Sequence, residues 1–123
     1  MILQPTPLPG ERMPDHPLNT RLSVIFSKDV ELLQAGEDKY GYSWRMKGGP
    51  GAYFTISRKT DRYERACAQA NYDLFAAVLR NPASDGHLFG KDGLMDDIGD
   101  MRRYFALVED YFRSFRDITE TPS

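Results

Sequence analysis

Apolar residues recur along this chain with the spacing of helices rather than strands. A first block of Leu22, Val24, Ile25, Phe26, Val30, Leu32 and Leu33, followed by Gly36, predicts a helix over about 22–35 with a glycine stop. After Pro50, a second pattern puts Tyr53, Ile56, Thr60, Tyr63, Cys67, Leu74 and Val78 in one stripe, with Arg58, Arg62 and Arg65 on the opposite face. It predicts one long helix reaching Asn81, because Pro82 turns the residue before it away from helical geometry. A third pattern, over about 92–115, aligns Leu94, Ile98, Met101, Phe105, Val108, Phe112 and Phe115, with Tyr104, Leu107 and Tyr111 on an adjoining strip. That helix is apolar on more than one side and is expected to lie centrally in an all-α, antiparallel helical bundle.

The connections read differently. Pro5, Pro7, Pro9, Pro14 and Pro17 exclude a helix from the first 19 residues, so residues 1–21 are expected as an extended Pro-rich arm before a helical domain over 22–118 and a flexible tail over 119–123. The stretch Lys39–Gly51 gathers glycines, aromatics and cations in a loop of the kind that lines binding sites. Residues 82–93, rich in Gly, Asp and Ser, form a connector.

Composition narrows the chemistry. The chain has 123 residues, room for one core. Its 16 basic and 18 acidic residues include no basic run that could follow a phosphate backbone, so direct nucleic-acid binding is not expected. No segment has the roughly 20 apolar residues of a membrane span, nor does the N-terminus carry the apolar run of a signal peptide. With one cysteine, Cys67, and hence no internal disulfide, a cytoplasmic location follows as the expectation. His16 and His87 lack spaced Cys or His partners, which leaves carboxylates as the candidate metal ligands.

Four carboxylates stand out. Glu64 falls in the apolar stripe of the second helix with Asp61 at its edge, and Asp97 and Asp100 fall in the second strip of the last helix. Asp96, Arg103 and Asp110 lie on its far side and are expected in solvent. A charge facing a core loses several kcal/mol of hydration, about as much as pairing must restore. Two such i,i+3 pairs meeting across an antiparallel seam make an oxygen-only site suited to Mg²⁺ or Mn²⁺, and so to phosphoryl chemistry. The plainer alternative is that Asp92, Asp96 and Asp97 serve a helix N-terminus while Asp61 and Glu64 pair with Arg65 and Arg58 along their own helix.

Taken with Lys39-Tyr40-Gly41-Tyr42-Ser43-Trp44-Arg45, Gly48 through Phe54, Arg58 through Glu64, Leu94 through Asp100 and Arg103-Tyr104, these residues resemble the MazG-like all-α nucleoside triphosphate pyrophosphohydrolases, particularly small phage and prophage versions. That family carries an ExxE and an ExxD pair that hold Mg²⁺ over the substrate phosphates. The resemblance implies Asp61, Glu64, Asp97 and Asp100 as metal ligands, with Glu64 and Asp97 serving catalysis. It implies cleavage of a (deoxy)nucleoside triphosphate to monophosphate and pyrophosphate. Trp44 would meet the base and Arg45, Lys47 or Lys59 the phosphates, in a homo-oligomer, dimer or tetramer, with sites near subunit interfaces. Aspartate stands for glutamate at two of the four places and the stretch between the pairs is longer than usual, so Asp96 or Asp38 remain alternatives. A non-enzymatic helical interaction module using Tyr104, Tyr111, Phe112 and Phe115 is the competing expectation.

Overall fold

The computed structural model describes residues 16–40, 44 and 46–119, and of residues 38–40 and 115–119 the backbone alone. Every regular element among them is a helix: α1 (Pro17–Tyr40), α2 (Gly48–Gln69), α3 (Leu74–Arg80) and α4 (Leu94–Thr119). The helical periodicity is thus realised, with boundaries that differ from expectation.

α1 begins inside the stretch expected as an arm. Proline is excluded from a helix interior but fits its first position, where φ is preset and no N–H is needed. Pro17 takes that position, and the Leu18 N–H donates to Nδ1 of His16 at 3.0 Å. The arm expected over residues 1–15 and the tail over 120–123 lie outside the described residues. Gly36 does not end the helix, which continues to Tyr40. A glycine costs an exposed helix only about 1 kcal/mol relative to alanine, too little to stop it unaided.

The second predicted helix is two. Asn71 and Tyr72 take positive φ of 54° and 62°. The Tyr72 N–H turns back to the Cys67 carbonyl at 2.7 Å, closing α2. Asp73 then opens α3, its carboxylate accepting the Ala76 N–H at 3.0 Å. This break folds α3 onto α2 around a core of small residues, Ala66, Cys67, Ala70 and Ala77, closed by Leu94. Tyr63, Val78 and Ile98 pack against it.

α4 starts at Leu94 rather than Asp92 because its first turn is anchored to the connector. The Leu94 N–H donates to the Asn81 carbonyl at 2.9 Å. A Cβ on Gly93 would come within 2.7 Å of the Ala83 backbone nitrogen, so only glycine allows this approach.

α2 and α4 run in opposite directions: Lys59 and Arg62 meet Asp97 and Asp100, while Tyr53 and Ile56 share a hollow with Phe105, Val108 and Phe112. On another side α1 runs the same way as α4, Asp29 meeting Arg102 and Arg103 while Glu37 shares a cleft with Leu107 and Asp110. The stripe expected as core is only partly buried. Phe105 is 53% and Phe112 62% exposed, because nothing among the described residues covers that flank of α4. No described helix is long and apolar enough to cross a membrane.

Candidate functional site

The most buried charges in the described chain form one continuous network. Asp29 on α1 receives two hydrogen bonds from Arg102, at 2.6 and 2.9 Å, and one from Arg103 at 3.0 Å. Arg103 also donates to Asp100 at 2.8 Å. Lys59 Nζ approaches Asp100 at 2.9 Å and Asp97 at 3.6 Å, and Arg62 donates to the same Asp97 carboxylate. The order is therefore Arg102, Asp29, Arg103, Asp100, Lys59, Asp97, Arg62. Cations outnumber carboxylates by one, and Asp29 and Asp97 are only 7% and 5% exposed.

Electrostatics follow from the pairing. The Arg102 guanidinium, helped by Arg103, holds the Asp29 carboxyl below the usual carboxylate range against the opposing effect of burial. For Asp100, burial is the largest single influence and raises the value, but hydrogen bonds and charge from Lys59 and Arg103 together outweigh it, and the net direction is down. Both groups are held ionised.

Of the sequence candidates, the structure brings Lys59, Asp97 and Asp100 together and leaves Asp61 and Glu64 out. The reason is rotational. The face of α2 turned to α4 carries Ala52, Ile56, Lys59, Tyr63, Ala66, Cys67 and Ala70, which share one stripe. Glu64 lies about 120° from its centre and Asp61 about 180°. Both are exposed. The expected stripe, drawn through Tyr53 and Thr60, was centred too far from Lys59. The four-carboxylate centre therefore does not form within one chain, and among the described residues no group of three or more His, Cys, Asp or Glu could hold a metal.

Asp97 and Asp100 nonetheless fit a divalent ion as a pair. Mg²⁺ is commonly held by one or two carboxylates, its other ligands coming from water and substrate phosphate. Here both acids already converge on one cation, the Lys59 ammonium.

Other expectations sort as follows. Arg62, assigned to the outer face, reaches round to Asp97, and Arg103, expected in solvent, is half-buried between Asp29 and Asp100. Asp96 is half-buried and accepts the Asp92 N–H at 3.0 Å, closing the first turn of α4. Lys47 is exposed just before α2. Arg45 and the side chain of Asp38 lie outside the described residues. Trp44 borders two cavities, one of about 550 Å³ between α1 and α4 and an apolar one of about 390 Å³ between α2 and α4. Its indole N–H is buried and donates to no acceptor among the described residues.

Sequence reasoning missed Asp29 and Arg102. A signal existed for the first: Asp29 shares the helical stripe of Leu22 and Leu33, the half-buried leucines of an otherwise exposed apolar block. Comparison with protein-family models, with curated proteins and with solved structures finds no match to this chain.

Proposed function

We propose that this chain is a nucleoside triphosphate pyrophosphohydrolase whose phosphate-side site is the α2–α4 seam at Lys59, Arg62, Asp97, Asp100 and Arg103. The observation that carries the reading is one ammonium shared by two carboxylates a turn apart, Lys59 between Asp97 and Asp100. A purely structural ion pair has no need of a second buried acid there. A site that binds a cation and an anion together needs both signs close by.

In this reading Asp97 and Asp100 hold Mg²⁺ or Mn²⁺, which when bound supplies Lewis acidity to the phosphate oxygens. Lys59, freed from the two acids, turns with Arg62 and Arg103 to the polyphosphate, where guanidinium forks suit paired phosphate oxygens. Asp29 keeps Arg103 oriented. Water attacks one phosphorus of the α–β linkage and gives its proton to a carboxylate, the bridging P–O bond breaks, and monophosphate and pyrophosphate leave. Asp97 is the buried candidate for that base, since Glu64 faces away within one chain.

The antiparallel bundle is completed, we propose, by a second copy of the chain. Tyr53, Phe105 and Phe112 are between 53% and 66% exposed on adjoining flanks of α2 and α4, and Phe54, packed edge-on against Tyr53, is 64% exposed on the outer face of α2, an unusual cost for large apolar side chains left in water. The same faces suit the competing reading, a non-enzymatic interaction module.

The deciding experiment incubates the full chain with each common nucleoside triphosphate and Mg²⁺ and separates pyrophosphate from orthophosphate. Pyrophosphate release lost in Asp97→Asn supports the hydrolase. Orthophosphate as the only product excludes cleavage between the α and β phosphates, and no product at all leaves the interaction module.

A further inference from the structure

The cleft between α1 and α4 continues the charge network along both helices. On α4, Asp100, Arg103, Leu107, Asp110 and Ser114 fall within one stripe, and on α1 Asp29, Leu33 and Glu37 do the same. Asp29, Asp100 and Arg103 belong to the network, whereas Leu33, Glu37, Leu107, Asp110 and Ser114 line the cleft of about 550 Å³ that Trp44 bounds. Arg103 and Asp110 are about 10 Å apart along the helix, close to the reach from a phosphate to the far edge of its base.

The charged groups of this cleft are of one sign. Glu37 and Asp110 offer carboxylate oxygens, Gln34, Tyr111 and Ser114 add neutral groups that can donate or accept, no lysine or arginine lines it among the described residues, and the remaining walls are aliphatic apart from Trp44. The two acids accept hydrogen bonds and disfavour a carbonyl oxygen set against them. Among the described residues, the buried indole N–H of Trp44 meets no acceptor.

We propose that this cleft is a base-recognition site for guanine, resting on the pyrophosphohydrolase reading for its place beside the phosphates. Among the common bases, guanine alone presents two adjacent donors, N1–H and the 2-amino group, which match the two oxygens of one carboxylate. Its O6 and N7 remain as acceptors for the Trp44 N–H. Thymine sets carbonyl oxygens on both sides of its single N–H and meets the acids unfavourably.

Trp44 is the single tryptophan of the chain, so its fluorescence reports on the cleft directly. The full chain is titrated with dGTP, dITP (which lacks the 2-amino group), dTTP and inorganic triphosphate, in parallel with a pyrophosphate-release assay. The proposal expects saturable quenching by dGTP, binding at least tenfold weaker for dITP and dTTP, and no quenching by inorganic triphosphate. Tenfold is the size of one charge-assisted hydrogen bond. In the Glu37→Gln, Asp110→Asn double variant, dGTP affinity falls at least tenfold while that of dTTP does not. Equal binding of dGTP and dTTP, or a double variant that keeps the preference, overturns it. Pyrophosphate released equally from every nucleotide without discrimination at Trp44 sinks this assignment and spares the hydrolase. Discriminating quenching without pyrophosphate release does the reverse.

Discussion

Lys59 Nζ stands 2.9 Å from Asp100 and 3.6 Å from Asp97, so one residue of α2 ties together two acids of α4. Each acid has another partner, Arg103 for Asp100 and Arg62 for Asp97. Among the described residues, Lys59 is the only link between those halves of the network.

Lys59→Met therefore leaves two close carboxylates with no cation between them. Thermal stability should fall by about 1–3 kcal/mol, the range for a partly buried ion pair losing one member, discounted for the partial exposure of Lys59 and Asp100. If the acids can take a divalent ion, Mg²⁺ should raise the melting temperature of the variant more than that of the parent. Equal Mg²⁺ responses in the two proteins would count against that use of Asp97 and Asp100.

Glu64→Ala and Asp97→Asn should separate cleanly. Glu64 is exposed, and its replacement should change stability by less than about 0.5 kcal/mol. Asp97 is buried and doubly paired, so its amide variant should lose turnover by about a hundredfold or more and unfold at lower temperature. A large loss of pyrophosphate release in Glu64→Ala, with stability intact, would show that Glu64 reaches a site on a second copy.

Acid should unfold the protein through the network. The folded protein holds Asp29 and Asp100 below the ordinary aspartate value of 3.8, so both bind protons less readily when folded. Their contribution is fully present above the unfolded carboxylate range and is lost as pH falls through and below about 4. Melting temperature followed from pH 7 downward should hold nearly level before dropping in that window. A fall centred near pH 6 would point to other groups.

Mass in solution tests the uncovered aromatic flank. A single chain is 14.1 kDa, and light scattering should find a multiple of it. Phe105→Asp should return the protein to one chain, since a stable interface needs about 800 Å² on each side and a charge at its centre is costly. A parent that already runs as one chain rules out the second copy.

Much of the helical framework was legible, because amphipathic spacing survives in sequence. Its breaks were harder to read. Asn71 and Asp73 carry ordinary signals for a left-handed turn and a helix cap, but the apolar stripe through Leu74 and Val78 masked them. The site was half legible for a similar reason. Asp97 and Asp100 lie on the seam and were found, whereas Glu64 depended on the rotation of α2, where one residue is worth about 100°. Asp29, Arg102 and Arg103 come together only through the packing of α1 on α4, a long-range fact with little local trace.

The fork between Asp29 and its two arginines has a bearing on how the molecule comes apart. α2, α3 and α4 share an apolar core, while α1 is latched to α4 chiefly by these ionic contacts. Concentrated sulfate strengthens the core and screens the latch only at its part-exposed Arg102 end. Amides along α1 should then exchange with solvent ahead of those in the other three helices, loosening first the wall that carries Glu37.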